Sequence, residues 1–174
     1  ITFSFFNENF LTPGNMSLIL QQVAIVGAIA AGQTLIILTA GIDLSCGAIA
    51  IFASMVMAKT FMGDPDIPDD GLPVFWAFAL GLLVGTLAGA FNGYLVTKFK
   101  LPPFIVTLGT LNVFIALTLI YATGRTVATN ELPEFFLVLG TELDVGEFSI
   151  TYGVLVMILI YLILAFALRF TGWG

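Results

Sequence analysis

The sequence contains no histidine, one cysteine and very few charged residues. The absence of histidine removes the commonest metal ligand and the commonest general base, and Cys46 alone can build neither a disulfide nor a cysteine metal cluster. There is also no glycine-rich loop ending in Gly-Lys-Ser/Thr to hold phosphates. We therefore predict no catalytic residue, no metal site and no cofactor bound by this chain.

Basic residues are scarce as well. Five Lys and Arg stand against eleven Asp and Glu, which gives a net charge of −6. Nucleic acids are bound through their phosphates by Lys and Arg, so the composition argues against a nucleic-acid partner.

Hydrophobic residues, in contrast, are abundant. They make up 59% of the chain, charged residues make up 9%, and the mean hydropathy is +1.10. A soluble domain carries about 25% charged residues because its surface faces water. The composition therefore predicts an integral membrane protein, whose surface contacts the lipid bilayer.

Five long apolar runs predict the fold class. A helix needs about 20 apolar residues to span the hydrocarbon core, and five runs reach or approach that length. They cover residues 16–41, 45–62, 74–97, 104–124 and 149–168. We predict an all-α polytopic helix bundle of about five transmembrane segments, with a break at Gly41–Ser45 where the first two runs meet. Hydropathy does not decide whether this break lies at the membrane surface or inside the membrane.

The ends of the chain suggest a fragment. Residues 1–6 look like the tail of an earlier helix, and the sequence stops soon after Arg169. We expect residues 1–174 to form a single transmembrane domain that is incomplete at both ends.

Basic residues indicate the orientation in the membrane. Lys98 and Lys100 follow the third run, and Arg169 follows the fifth. Loops rich in Lys and Arg stay in the cytoplasm. Residues 98–103 and the C-terminus are therefore predicted to be cytoplasmic.

The acidic residues cluster on the opposite side. Nine of the eleven lie in residues 63–73 and 125–148, and the alternation of crossings makes both of these loops periplasmic. Lys59 and Arg125 fall on the same outer side, where basic residues are not favoured.

Asp43 is the most unusual residue, because residues 16–62 contain only one other ionisable side chain. A charged group at membrane depth costs roughly 2.5–3.5 kcal/mol on insertion scales and usually faces a protein interior or an aqueous path. Asp43 has three interpretations: solvation at a cytoplasmic helix end, capping of the 45–62 helix by Asp43 or Ser45, and direct contact with a solute. The capping chemistry favours the second.

Glycines recur every four residues in the third run. Gly81, Gly85, Gly89 and Gly93 share one helical face. Without side chains there, a neighbouring helix can approach closely. We interpret this ridge as a helix-packing surface.

Other polar residues inside the apolar runs are candidates for a translocation path, together with Gly41, Asp43 and Ser45. They are Gln33, Asn92, Thr107, Thr110 and Asn112. Such groups line a hydrated cavity and bind substrate hydroxyls in some membrane proteins, and hydrogen-bond neighbouring helices in others. The sequence leaves both uses open.

Two segments, in order, resemble a known family. The segment Thr39–Ala48 (TAGIDLSCGA) and the segment Lys100–Thr110 (KLPPFIVTLGT) are similar to landmarks of the ribose/xylose/fructose-type sugar permeases of bacterial ABC importers. Asn92-Gly93 before the basic loop fits the same pattern, and the resemblance covers essentially the whole chain.

The resemblance implies a permease domain in the bacterial inner membrane that translocates a monosaccharide. It also implies a dimer with a second permease copy, cytoplasmic ATPase subunits that use ATP, and a periplasmic sugar-binding protein. The chain would then be a transporter subunit rather than an enzyme. Two other interpretations stay open: an ion-coupled secondary carrier that uses Asp43 as its coupling site, and a membrane scaffold that does not transport.

Overall fold

The computed structural model describes residues 10–63, 70–146 and 148–171. Features predicted at the remaining positions lie outside the described residues. These are the N-terminal tail 1–6, the acidic residues Asp64, Asp66, Asp69 and Glu147, and the end of the chain after Thr171.

Helices dominate the described chain, so the predicted helical class is confirmed. The five long helices are α1 (Pro13–Leu38), α2 (Cys46–Met62), α3 (Val74–Phe99), α4 (Pro103–Ala122) and α6 (Tyr152–Phe170). All except α2 are long and apolar enough to cross a membrane. With 17 residues, α2 is about 25 Å long at 1.5 Å per residue, which is less than the roughly 30 Å of a hydrocarbon core.

The segment between α4 and α6 contains more structure than the sequence predicted. It holds the short helix α5 (Glu134–Leu137), two 3₁₀ turns (Thr129–Glu131 and Val138–Gly140) and an antiparallel hairpin of β1 (Glu142–Val145) and β2 (Phe148–Thr151). The prediction that the last helical run starts at residue 149 was wrong, because residues 149–151 are paired in β2. Strands of four residues are too short for their period-2 pattern to stand out in an apolar sequence.

Residue contacts divide the chain into two compact units, with one boundary inside α1 and the other inside α5. The first unit comprises residues 1–34 and 136–174. In it, the Oγ of Ser17 on α1 accepts a hydrogen bond from the N–H of Ser149 on β2 at 2.9 Å. The Nε2 of Gln21 donates to Oε1 of Glu142 at 3.1 Å. These bonds attach the hairpin to the first half of α1.

The second unit, residues 35–135, is a bundle of α2, α3 and α4. Its core contains Ala48, Ile49, Ala88 and Phe114, and the rings of Phe52 and Phe114 lie 5.8 Å apart. The start of α2 lies beside the end of α3 and the start of α4, and the end of α2 lies beside the end of α4. The helix α2 is therefore parallel to α4, and α3 is antiparallel to both.

The outer surface of this bundle is apolar. Large side chains such as Leu82, Leu87, Ile105, Leu119 and Ile120 are more than half exposed. A water-soluble protein with so large an exposed apolar surface would aggregate. In a chain with four helices of membrane-spanning length, the same surface suits contact with lipid.

The glycine ridge on α3 contacts α2 only at its first two positions. A Cβ on Gly81 would lie 2.7 Å from the Cε of Met57 and 3.2 Å from the carbonyl oxygen of Ala53. A Cβ on Gly85 would lie at an ordinary 3.6 Å from the Cβ of Ala53. Within the described residues nothing lies within 4 Å of a Cβ placed on Gly89 or Gly93. The close approach of α3 to α2 therefore depends on Gly81 in particular.

We expect Gly81→Ala to destabilise the full-length protein by about 1–3 kcal/mol, the usual cost of overpacking a filled interface. Gly93→Ala is the matched control, since its added methyl group meets open space in this bundle. The melting temperature of the detergent-solubilised protein, followed by size-exclusion chromatography, measures both effects. Equal losses for the two variants would contradict the specific role of Gly81.

Candidate functional site

The candidate site is the break segment, residues 41–45, and it starts where α1 ends. The N–H of Ala40 donates to the carbonyl of Ile37 at 2.9 Å and the N–H of Gly41 donates to the carbonyl of Ile36 at 3.0 Å. This pair of bonds is a Schellman motif, which satisfies the last carbonyls of a helix. Ala40 takes the left-handed conformation with φ 58°. A Cβ on Gly41 would lie 3.0 Å from the Cγ2 of Ile36, so a larger residue at position 41 would require Ile36 to shift.

Asp43 holds the next turn of the break segment. Its Oδ1 accepts a hydrogen bond from the backbone N–H of Ser45 at 2.7 Å and another from the Oγ–H of Ser45 at 2.6 Å. A carboxylate bonded to the N–H two residues ahead forms an Asx turn. Ser45 is the N-cap residue of α2, but its side chain makes no capping bond. The expectation that Ser45 caps α2 through its side chain is therefore wrong, and these two bonds of Asp43 reach the N-cap residue itself rather than the helix interior.

Ser45 also joins α2 to α3. The Nδ2 of Asn92 on α3 donates to the Oγ of Ser45 at 2.7 Å. Ser45 is 0% exposed and Asn92 4% exposed. A chain of hydrogen bonds thus runs from Asn92 through Ser45 to Asp43. We call these three residues the polar relay.

The amide oxygen of Asn92 differs from the other polar atoms of the relay. Oδ1 of Asn92 is buried and has no hydrogen-bond partner among the described residues. Most buried polar side-chain atoms in folded proteins have a hydrogen-bond partner, so this oxygen is an exception within the relay.

Thr107 fastens the break segment to α4. Its Oγ lies 2.9 Å from the carbonyl oxygen of Pro103 in its own helix and 3.2 Å from the carbonyl oxygen of Ile42. The carbonyl of Ile42 is a contact that sequence reasoning missed. A backbone acceptor leaves no signal in the side-chain pattern.

These contacts give the depth of the break within the bundle. Asn92 lies seven residues before the end of α3 at Phe99, which is about 10 Å along the helix axis. Thr107 lies four residues after the start of α4 at Pro103, or about 6 Å along its axis. The break segment is therefore inserted between α3 and α4 and does not lie at their ends.

The remaining candidates lie elsewhere. Thr110 is buried and its Oγ bonds only within α4, to the carbonyls of Val106 and Thr107. Asn112 is exposed, and its Nδ2 donates to the carbonyl of Leu108 in the same helix. Gln33 lies on α1 in the first unit and is half-buried. Of the polar candidates on α3 and α4, the structure brings Asn92 and Thr107 to the break segment.

The described residues contain no group of three His, Cys, Asp or Glu side chains arranged to hold a metal ion. The polar relay provides the carboxylate of Asp43, the hydroxyl of Ser45 and the amide of Asn92. Hydrogen bonds join these groups in that order, and apolar helices surround them. Polar groups at membrane depth are tolerated where they are buried in protein or line an aqueous cavity. The site is therefore suited to positioning and to polar contact rather than to covalent chemistry.

A multi-pass helical membrane protein with a polar, interrupted helix pair is the class that the fold and the site define. The chain belongs to the family described as branched-chain amino acid transport system, permease component, whose profile matches residues 15–174.

Individual relatives confirm the resemblance to sugar permeases of ABC importers. The chain is 43% identical over 172 residues to the fructose import permease protein FrcC of Rhizobium meliloti, covering 95% of this chain and 45% of that protein. It is 39% identical over 174 residues to the ribose import permease protein RbsC of Bacillus subtilis, covering 100% of this chain and 51% of that protein. The D-allose transport system permease protein AlsC of Escherichia coli is 41% identical over 120 residues, which are 69% of this chain and 35% of AlsC. The chain thus spans about half the length of FrcC and RbsC. No solved structure gives a significant match.

Proposed function

We propose that this chain is part of the membrane-spanning permease subunit of an ABC importer that translocates a monosaccharide of the ribose, fructose or xylose class. The observation that carries the proposal is the 43% identity to a fructose import permease over 95% of the chain. The family profile runs across both compact units, which supports assigning them to a single permease domain.

The polar relay supports a structural role in translocation. Asn92 and Thr107 attach the break segment to α3 and α4, so α2 begins inside the bundle, and its 17 residues leave it shorter than a full crossing. We propose that the relay keeps the start of α2 and the Asp43 carboxylate at a fixed depth beside the sugar path. A sugar presents hydroxyl groups, and a half-buried carboxylate is a strong acceptor for them.

The charge distribution supports the orientation. Lys98 is in the last turn of α3 and Lys100 is the C-cap residue that follows it, and Arg169 is in the last turn of α6. By the positive-inside rule, residues 98–103 and the C-terminus face the cytoplasm of a bacterial inner membrane, and the loops 63–73 and 125–148 face the periplasm.

The same family membership suggests the partners. We propose separate ATPase subunits, which hydrolyse ATP, a second permease copy, and a periplasmic sugar-binding protein. These 174 residues contain no glycine-rich loop ending in Gly-Lys-Ser/Thr, the motif that holds nucleotide phosphates in many ATPases, and in this scheme the ATPase subunits supply the energy.

Reconstitution tests the proposal. Full-length permease in proteoliposomes, combined with the proposed ATPase and sugar-binding protein, should take up labelled fructose, ribose or xylose only when ATP is present. An ATPase variant that binds but does not hydrolyse ATP is the control. Uptake driven by an ion gradient without the ATPase would instead establish a secondary carrier, and absence of uptake with all components present would favour a scaffold.

A further inference from the structure

A cavity of about 750 Å³ lies at the opposite end of the second unit from the break segment, between the ends of α2 and α4. Two of the five basic residues in the chain, Lys59 and Arg125, line it. Both residues fall on the outer side of the predicted topology, where the positive-inside rule does not favour basic residues. Two basic residues on the side where they are not favoured therefore line the same cavity.

The wall on the α2 side is formed by closely packed backbone. The N–H of Leu72 donates to the carbonyl of Thr60 at 2.8 Å. Gly63 has a φ of +69°, and a Cβ there would lie 2.8 Å from the carbonyl carbon of Asp70. The two glycine-containing segments therefore approach closely and form this wall of the cavity.

The wall on the α4 side is formed where that helix ends. Thr123 and Gly124 both have positive φ, 53° and 72°, and the N–H of Arg125 donates to the carbonyl of Ala122 at 2.9 Å. This reversal brings Arg125 and Thr126 to the cavity.

Lys59 joins the two walls. Its Nζ donates to the carbonyl oxygen of Tyr121 at 2.9 Å and lies 5.0 Å from the centre of the Tyr121 ring. An ammonium group has three N–H donors, and this bond uses one of them. A cation beside the last carbonyls of α4 also stabilises the negative end of that helix.

Carboxylates balance the cations. Asp70 and Glu131 line the same cavity, and Glu131 uses Oε2 to accept a hydrogen bond from the N–H of Ala128 at 2.9 Å. The described part of the lining therefore contains two cations and two carboxylates. An anionic ligand would meet the carboxylates and a cationic ligand would meet Lys59 and Arg125, whereas a neutral polyhydroxyl compound can use all four groups, because each hydroxyl both donates and accepts.

We propose that this cavity is an outer binding site for the transported monosaccharide on the permease itself. The inference rests on the proposed function for the identity of the ligand and for the orientation. The cavity volume lies within the range of about 300–1,000 Å³ that is typical of small-molecule sites. The site receives the sugar on the periplasmic side before it reaches the path at the break segment.

Protection of an introduced cysteine tests this site. Thr126→Cys is made in full-length permease whose native cysteines, including Cys46, are replaced, and its reaction with a charged methanethiosulfonate reagent is timed with and without fructose or ribose. Thr126 lines the cavity and is exposed. Thr141→Cys is the matched control, since Thr141 is an exposed threonine outside the cavity lining.

We expect sugar at ten times its Kd to slow the labelling of Thr126→Cys about tenfold, as mass action requires, and to leave Thr141→Cys unchanged. Adding Glu131→Gln or Arg125→Gln should raise the sugar concentration for half-protection by about tenfold or more, since hydrogen bonds to charged groups are the strong ones. Equal slowing at both cysteines, or equal slowing by dimethyl sulfone, a neutral solute without hydroxyls, would overturn the site.

ATP-dependent uptake separates this inference from the proposed function. Normal sugar uptake by the complete transporter without any protection of Thr126→Cys would overturn the outer site and leave the importer assignment intact. Protection by sugar in a protein that shows no ATPase-dependent uptake would support the site and overturn the importer assignment.

Discussion

Asp43→Ala should reduce ATP-dependent sugar uptake by the full-length permease at least tenfold while the protein still inserts into the membrane. The substitution removes the oxygen that accepts hydrogen bonds from the N–H and the Oγ–H of Ser45. Hydrogen bonds to charged groups contribute about 1.5–3 kcal/mol each, and about 1.4 kcal/mol corresponds to a factor of ten. Uptake into proteoliposomes, normalised to the amount of permease recovered from the membrane, measures the effect.

Asp43→Asn is the informative companion to that variant. Asparagine keeps an oxygen at the same position but loses the charge, and neutral hydrogen bonds are roughly half as strong as charge-assisted ones. We therefore expect uptake between that of the wild type and that of Asp43→Ala. Wild-type uptake by Asp43→Ala would remove the carboxylate from the mechanism.

The second large effect is expected at Asn92. Asn92→Ala should destabilise the protein by about 1–2 kcal/mol, the upper part of the range for hydrogen bonds between membrane helices. The reason is that its Nδ2 bonds to Ser45 across two helices at 2.7 Å in a site that excludes solvent. The shift in melting temperature of the detergent-solubilised permease reports this loss.

Asn112→Ala is the matched control for Asn92→Ala. Asn112 is exposed and, among the described residues, bonds to Leu108 in its own helix, so its removal should cost less than about 0.5 kcal/mol, as for most exposed substitutions. A double-mutant cycle of Asn92→Ala with Ser45→Ala should show coupling of about 0.5–2 kcal/mol, since residues in one hydrogen-bond network are not additive. Additive losses, or an equal loss at Asn112, would show that the relay does not hold α3 to α2.

Hydropathy predicted the helices well because membrane insertion selects long uninterrupted apolar runs. α4 lies at Pro103–Ala122 against a predicted 104–124, since Pro103 occupies a first-turn position where proline is tolerated. The hairpin β1–β2 was not predicted, because four-residue strands carry too little pattern. α1 also ends earlier than the apolar run, because the Schellman motif stops it at Leu38 while the residues that follow are still apolar.

The candidate residues show a different limit. Four candidates cannot be distinguished by sequence, because each is a polar residue in an apolar run. They are Asn92, Thr107, Thr110 and Asn112. They differ in the groups that lie beside their side chains in the folded protein. Asn92 and Thr107 meet the break segment, whereas Thr110 and Asn112 bond within their own helix. The glycine ridge divides in the same way, since Gly81 contacts α2 and Gly93 meets open space in the described bundle.

The sequence alone determined that this protein lives in a membrane, how many long helices it has, and that a carboxylate interrupts the first apolar stretch. These properties depend on composition and on order along the chain, and each residue contributes to them independently of its neighbours in space. Only the tertiary structure decided the depth of the break between α3 and α4, the connection of Asp43 to Asn92 through Ser45, and the meeting of Lys59 with Tyr121. Those contacts join residues far apart in the chain, and they depend on how each helix is rotated and shifted relative to its neighbours. Packing between the helices sets these positions, whereas the periodicity of the sequence does not.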